Sequence, residues 1–287
     1  MYIWKMRNVR GEDQQKEIRS YPLDSLLCAV SRRSRRENQT RVLIITGWLQ
    51  TIEKYIEFLL FPSFCQVCGR FLEGRGEKIV CSQCWERIIL PPRGRCARCG
   101  RFYEQEKAEH LCLDCQQHPP YFNLHRSAFP YEGVLREIIL LFKFRGYSYL
   151  AKPLAGMAIR RLKEEASLWE GLELLLPIPL HPRRTKQRGY NQAQLLAKII
   201  GRELSLEDDS RVLQKVVNVP PQSSLAEKAR RENVRNSFKV RSPDKVKDKV
   251  IGLVDDIYTT GATLNECSRM LSQAGAKEVR ALTIARA

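Results

Sequence analysis

The densest chemistry in the chain lies in fourteen consecutive residues, Val250-Ile251-Gly252-Leu253-Val254-Asp255-Asp256-Ile257-Tyr258-Thr259-Thr260-Gly261-Ala262-Thr263. An apolar run ends in two adjacent carboxylates, and a loop of small polar residues then opens a helix expected over 264–273. That order describes a buried parallel strand with acids at its carboxyl end, followed by the unpaired N–H groups of a helix N-terminus, where the dipole also favours an anion. Gly261 lets a ligand approach the backbone around Ala262, and the hydroxyls of Thr259, Thr260 and Thr263 can donate to phosphate oxygens. Asp255 and Asp256 would repel a bare phosphate, but they suit sugar hydroxyls or a hard cation beside it. Phosphate, ribose and divalent metal together describe a phosphoribosyl-binding site. The plainer alternative is a buried strand and a capped helix with both acids merely solvated.

A second constellation is made of cysteines. Eight of the ten fall in C-x-x-C pairs, Cys65/Cys68, Cys81/Cys84, Cys96/Cys99 and Cys112/Cys115. Twelve residues separate Cys68 from Cys81 and twelve separate Cys99 from Cys112, so two copies of one pattern stand in tandem, each carrying a Cys-Gly-Arg-Phe flank. A C-x-x-C knuckle places two sulfurs on one side of a tight turn, and two knuckles complete a tetrahedron around Zn²⁺. Two closed, structural zinc sites are expected. Equal spacing favours pairing within each copy, with a crossed arrangement as the alternative. Gly69 and Gly100 follow the second cysteine of their knuckles, where a left-handed residue is commonly needed. Cys28 and Cys267 stand apart, and Cys267 reads as a small core residue.

With 287 residues the chain has room for two domains, and 43% hydrophobic with 28% charged residues is ordinary for a soluble globular protein. The formal charge of +17 suggests a polyanionic partner, and two tetrathiolate zinc sites would lower it only to about +13. Basic charge is densest over 177–241, with fourteen Lys/Arg against six Asp/Glu. No apolar stretch is long enough for a membrane span; 42–61 is interrupted by Glu53, Lys54 and Glu57. The N-terminus has no apolar core after its basic residues, so the expected location is the cytoplasm.

These groups need elements to hold them. From about residue 121 strands and helices alternate, with strands expected at 126–131, 172–179, 211–217, 238–240, 250–254 and 278–284. Helices are expected over 135–146, 150–162 and 191–202, with basic loop residues at 181–188. This alternation implies an α/β fold with a doubly wound, mostly parallel sheet, whose ligands lie beyond the carboxyl ends of the strands. Ahead of it, 47–61 reads as an amphipathic helix with Trp48, Leu49, Ile52, Tyr55, Ile56, Leu59 and Leu60 on one stripe. Residues 1–46 read as a basic extension, either a disordered arm or non-native sequence from an early start codon.

The 250–263 run resembles the phosphoribosyl pyrophosphate (PRPP) motif of type I phosphoribosyltransferases. Pro177-Ile178-Pro179-Leu180-His181-Pro182-Arg183-Arg184 and Arg188-Gly189-Tyr190-Asn191-Gln192-Ala193 are similar to signature segments of the ComF family. Pro220-Pro221-Gln222-Ser223-Ser224-Leu225 with Ala229-Arg230-Arg231-Glu232-Asn233-Val234 is similar to a further one, and Leu59-Leu60-Phe61-Pro62 stands where that family places it before the first C-x-x-C. On these segments the chain is identified as a member of that family over about 47–287.

The resemblance implies a double zinc ribbon over 62–118 and a phosphoribosyltransferase-like domain, with a type I phosphoribosyltransferase core, over 119–287. It implies that PRPP or a phosphoribosyl compound binds with magnesium at Asp255–Thr263. His181, Arg183, Arg184 and Arg188, with Lys143 and Arg145 from the side and Arg230 and Arg231 on a flap, are the candidates for pyrophosphate or a DNA backbone. It further implies a role in natural competence, with single-stranded DNA and competence proteins as partners. Trp85, Phe102, Tyr103, Tyr121, Phe122 and Tyr190 could stack on bases, or serve only as core. Three readings follow: a competence protein with a working PRPP site, a phosphoribosyltransferase salvaging a small base, and a non-catalytic DNA-binding module on the same fold.

Overall fold

The computed structural model describes residues 63–72, 79–104, 110–217 and 234–287. The chain divides into Met1–Ser63 and Phe64–Ala287, and the fold described is that of the second unit. The expected basic extension (1–46) and amphipathic helix (47–61) therefore lie outside the described residues, as does the flap with Arg230 and Arg231.

In chain order the strands are β1 (Gly94–Arg95), β2 (Phe102–Tyr103), β3 (Leu124–Pro130), β4 (Leu174–Pro177), β5 (Glu207–Asp208), β6 (Leu213–Lys215), β7 (Phe238–Val240), β8 (Val250–Tyr258) and β9 (Glu278–Arg286). The helices are α1 (Ser82–Glu86), α2 (Leu113–Gln117), α3 (Gly133–Phe144), α4 (Ala151–Leu162), α5 (Ala166–Trp169), α6 (Pro182–Arg188), α7 (Gln192–Leu204) and α8 (Ala262–Gln273).

The apolar run that leads to the two acids becomes the middle strand of a five-stranded parallel sheet, ordered β3-β9-β8-β4-β5. Residues 250–254 are all buried, as a strand covered on both faces must be. A Cβ on Gly252 would come within 2.7 Å of the Leu175 side chain, so glycine there lets β4 pack closely. One face of the sheet meets α3, α4 and α7 through Val250, Val254, Leu282, Leu135, Ile138, Leu154 and Leu196. The other meets α8 and the β6–β7 pair through Ile251, Leu253, Val279, Leu264, Leu271 and Phe238. Helices on both faces of a parallel sheet make the doubly wound α/β architecture the alternation implies.

Four details differ from the expectation. β8 runs on to Tyr258 rather than stopping at Val254, because Asp255, Ile257 and Tyr258 keep their pairing with Thr283, Ala285 and Arg286 of β9. The two acids therefore sit within the strand. β6 and β7 leave the main sheet and pair antiparallel with each other, and the two-residue β5 closes the sheet edge. Finally, 181–188 is not a loop but the helix α6: His181 caps it, Pro182 opens it, and Gly189 ends it at φ +81°. Proline at the first helical position and a left-handed glycine after the last are the signals that mark it.

The two cysteine copies join opposite faces of the sheet. Cys65, Cys81 and Cys84, with Val80 and Ile88, belong to the core that holds α3 and α4. Cys96, Cys99, Cys112 and Cys115, with Phe122, belong to the core under α8.

Candidate functional site

At the carboxyl end of β8 the side chains of Asp255 and Asp256 leave the strand on different sides. Asp256 is 6% exposed and forms an ion pair with Lys143 of α3, Nζ to Oδ1 2.9 Å. Asp255 accepts the Asp256 N–H at 2.8 Å and lies among Lys215 of β6, Cys267 of α8 and Asp256. Part of Asp255 stays accessible, yet burial of its carboxyl, with the Asp256 charge beside it, pushes it up to about 7; Lys143 and Lys215 pull against that rise. Burial and the Arg184 charge hold Lys215 below the ordinary lysine range, and its ammonium lies 5.1 Å from the centre of the Phe238 ring. Each acid thus has a lysine near it. Lys215 carried no mark in the sequence, since it was one basic residue among many in an expected strand.

The loop 259–261 and the N-terminus of α8 follow directly. Gly261 adopts φ +72°, and a Cβ on it would collide with the ring and hydroxyl of Tyr258. Only glycine fits this position, for both reasons. Thr259 is exposed, Thr260 and Thr263 are half-buried, and Thr260 Oγ1 accepts the Ala262 N–H at 3.4 Å. At twelve residues, α8 is long enough for its N-terminal dipole and free amides to attract an anion. Beside the loop lies a cavity of about 350 Å³ lined by His118, Tyr121, Arg235, Thr260, Asn265 and Arg269 among others. A larger apolar cavity of about 900 Å³, between Trp85, Leu150, Met157 and Ile199, contains neither acid and none of the loop threonines, so size does not locate the chemistry.

The basic candidates separate into groups. Lys143 is at the acids, as its ion pair shows. Arg184 is half-buried near Lys215 and is lowered by burial and by Arg188. His181 spends its ring on the Arg183 N–H as the cap of α6, and Arg183 points to solvent. Arg145 is exposed at the end of α3. Arg188 stacks on Phe144, 5.0 Å from the ring centre. The Arg-Gly-Tyr-Asn-Gln segment is a clamp. Tyr190 donates its hydroxyl to Phe142 O, Asn191 caps α7 and donates to Ile178 O at 3.0 Å, and Arg188 donates to Gln192 at 3.4 Å. The clamp fixes the last turn of α3, and with it Lys143. Among the stacking candidates, Phe122 is fully buried and cannot meet a base, whereas Tyr121 is 53% exposed. Phe122 stays inside because it packs with Tyr258 and His125.

The cysteines form two tetrads, 65/68/81/84 and 96/99/112/115, each with all sulfurs within 4.8 Å of one another. Contacts of 3.8 Å (Cys65–Cys84), 3.7 Å (Cys68–Cys81) and 3.7 Å (Cys99–Cys112) match the edge of a tetrahedron with arms of about 2.3 Å, the Zn–S length. Without a cation the sulfurs cannot all ionise: the Cys99–Cys96 hydrogen bond lowers Cys96 and raises Cys99. The residues fit two structural zinc ions, paired within each copy, with every coordination position filled by protein.

The second tetrad is stitched to the sheet. Ala97, Arg98 and Cys99 carbonyls accept from Arg126 (2.9 Å), the His125 N–H (2.7 Å), His125 Nδ1 (2.8 Å) and Arg286 (2.7 Å). His125 is wholly buried and held down to about 3, first by burial and then by the charges of Arg286 and Arg126. A carbonyl only accepts, so Nδ1 carries the proton and Nε2 is left as an acceptor, 3.1 Å from the Thr283 hydroxyl and 3.4 Å from that of Ser127. Nothing in the sequence marked His125 or Arg286, since their partners are distant in the chain.

The sequence matches the double zinc ribbon domain over residues 57–116 and the phosphoribosyl transferase domain over residues 186–287. Competence protein F of Haemophilus influenzae is 32% identical over 213 residues, 72% of this chain and 90% of that protein. DNA utilization protein YhgH of Escherichia coli O157:H7 is 30% identical over 226 residues, 77% of this chain and 89% of that one. Competence protein ComFC of Streptococcus pneumoniae is 31% identical over 165 residues, 56% of this chain and 68% of that one. Among the described residues, no helix is long and apolar enough to cross a membrane.

Proposed function

The chain belongs to the ComF family, and from that premise we propose that it binds PRPP or a related phosphoribosyl compound at Asp255–Thr263 and serves DNA uptake by handling single-stranded DNA. One observation carries the reading: two acids with lysine neighbours lead straight into a left-handed glycine at the N-terminus of a twelve-residue helix. Backbone amides and the hydroxyls of Thr259, Thr260 and Thr263 hold the 5-phosphate. Asp255 and Asp256 take the ribose hydroxyls. A magnesium ion bound with the ligand would neutralise the diphosphate and keep Asp255 ionised. If the sugar is transferred, the bond from its anomeric carbon to pyrophosphate breaks as a nitrogen nucleophile arrives. Arg184 on α6, half-buried near Lys215, is the cation we assign to the departing charge, with Arg183 and Arg188 as further candidates on the same helix.

The DNA part of the proposal is supported by a surface at the ends of α3 and α6. Phe144 is 64% exposed and stacks with Arg188, with Arg145 and Arg183 exposed nearby in sequence. Aromatic faces with arginines are what a sequence-tolerant single-strand site uses.

Isothermal titration with PRPP and magnesium tests the first part. Asp255→Asn with Asp256→Asn should weaken binding at least about tenfold through loss of charge-assisted contacts. Unchanged affinity in the double variant would overturn the assignment. Pyrophosphate release with any base in a screened set would establish turnover and favour salvage.

A further inference from the structure

Tyr258 occupies a position that the phosphate loop alone does not explain. Along β8, Val250 and Val254 face the core of α3 and α4, and Ile251 and Leu253 face the core of α8. Simple alternation would send Ile257 toward α8 and Tyr258 away from it. Instead Ile257 packs against the core that holds α3 and α4, and Tyr258 belongs to the core that contains Ile251 and Leu253. Pairing with β9 keeps one offset throughout, from Val250–Glu278 to Tyr258–Arg286, so it is the contacts of the last two side chains, not the register, that depart from the alternation. Tyr258 is thereby delivered to the second cysteine tetrad.

There its ring meets two residues. His125 lies 4.4 Å away at 32°, and the Arg286 guanidinium sits 4.1 Å from the ring centre on a cation–π contact. Both of these residues donate to the same acceptor, the carbonyl of Cys99 in the second tetrad. On its far side the Tyr258 ring and hydroxyl fill the space beside Gly261 where a side chain would otherwise stand. A continuous set of contacts therefore runs from a zinc-knuckle carbonyl, through two donors and one aromatic ring, to the turn of the phosphate loop.

We propose that Tyr258 is a positioning residue that makes the conformation of the phosphate loop depend on the integrity of the second tetra-cysteine site, and not on the first. The proposal rests on the reading of 259–263 as an anion cradle. With the second tetrad intact, the Cys99 carbonyl orients His125 and Arg286, these fix the ring, and the ring holds Gly261 in its left-handed turn. If the tetrad is broken, the carbonyl is no longer fixed, the contacts of His125 and Arg286 with the ring loosen, and the amides of the loop lose their convergence.

Amide hydrogen exchange over 259–264 in the full zinc-loaded chain reads this without any ligand. Cys112→Ser and Tyr258→Leu should each speed exchange in that loop about tenfold or more, whereas Cys81→Ser should leave it at the parent rate. Unchanged loop exchange in Tyr258→Leu, or equal acceleration by Cys81→Ser, would overturn the proposal. Should Cys112→Ser unfold the whole chain, Arg286→Lys decides: it keeps a cation but loses the planar stack and the fixed fork. With two zinc ions still bound, it should speed loop exchange, and parent-like exchange would sink the coupling. Titration with PRPP and magnesium in parallel separates the two ideas. A parent chain that fails to bind PRPP removes the functional reading, while the exchange result still decides the coupling.

Discussion

The two cysteine tetrads share their spacing, their Cys-Gly-Arg-Phe flank and their sulfur geometry, yet they are attached to the fold by different physics. Among the described residues, the first has knuckle bonds within its own copy, with Cys65 N–H to Arg70 O at 2.7 Å and Gly69 N–H to Cys65 O at 2.8 Å. It joins α3 and α4 through apolar packing, and its Cys68 is exposed. All four cysteines of the second are buried, and its knuckle carbonyls accept four hydrogen bonds from β3 and β9. Apolar contacts tolerate sliding, whereas directed hydrogen bonds to carbonyls fix orientation. A repeated motif has thus been used once as a packed weight and once as a bolted joint next to the phosphate loop.

The glycines of the repeat test that difference most sharply. Gly69 and Gly100 have φ of +71° and +65°, so alanine is strained at both. A Cβ at Gly69 meets nothing within 4 Å, whereas at Gly100 it would stand 2.7 Å from the His125 carbonyl oxygen. Gly69→Ala should cost about 1 kcal/mol, the backbone penalty alone. Gly100→Ala adds a backbone clash and should cost about 3 kcal/mol or more, with reduced zinc retention at the second tetrad. Denaturation midpoints and metal content of the two variants, against two zinc ions per chain in the parent, check it. Equal losses would mean that both copies are attached alike.

How much of this was legible beforehand depended on the range of the interaction. The tetrads could be read because their ligands recur at short, fixed spacing, and the parallel sheet because buried strands alternate with helices. The phosphate loop was visible because strand, acids, glycine and helix start are consecutive from Val250 to Thr263. Contacts across the chain were not. Lys143–Asp256 spans more than a hundred residues, and His125, Arg286 and Tyr258 meet only after β3, β9 and β8 pair. The packing of Tyr258 with the α8 core is equally silent, because an apolar residue at either 257 or 258 satisfies a strand buried on both faces. α6 was misread for another reason: its four basic residues suggested a ligand loop and outweighed the proline and glycine that bound it.

The two faces also divide the acids, which gives the next effect in size. Asp256 has its lysine on the α3 face, and Asp255, raised to about 7, is the group that titrates near neutrality. Its folded value lies above its unfolded value of about 4, so its neutral form is favoured by the fold. The contribution is complete below about pH 4 and is lost as the pH rises through about 7. Asp255→Asn should remove that decline from the pH profile of thermal stability. A magnesium-bound ligand would reverse the preference, so affinity should rise with pH through about 7, with about half a proton released per site at pH 7. Calorimetry in buffers of different ionisation enthalpy measures the proton directly. A pH-independent affinity would place the cation elsewhere.

The smallest expected effect sharpens the same division at the surface. Arg183 is exposed on α6, so toward a single strand it acts as a point charge on the backbone, while Arg188 and the 64% exposed Phe144 offer a stacking face. Each phosphate neutralised on a single strand contributes about 0.7 to the slope of log affinity against log salt. Arg183→Ala should lower the slope by about that amount and weaken binding equally for all sequences. Phe144→Ala should leave the slope alone while lowering affinity, since stacking releases no counterion. PRPP should weaken strand binding if Arg184, near Lys215 and Asp255, serves both ligands. A slope that does not move in Arg183→Ala would take the DNA off the α3–α6 face. The bolted joint of the second tetrad, with exposed Tyr121 beside the phosphate-loop cavity, would then be the surface to examine for nucleic acid.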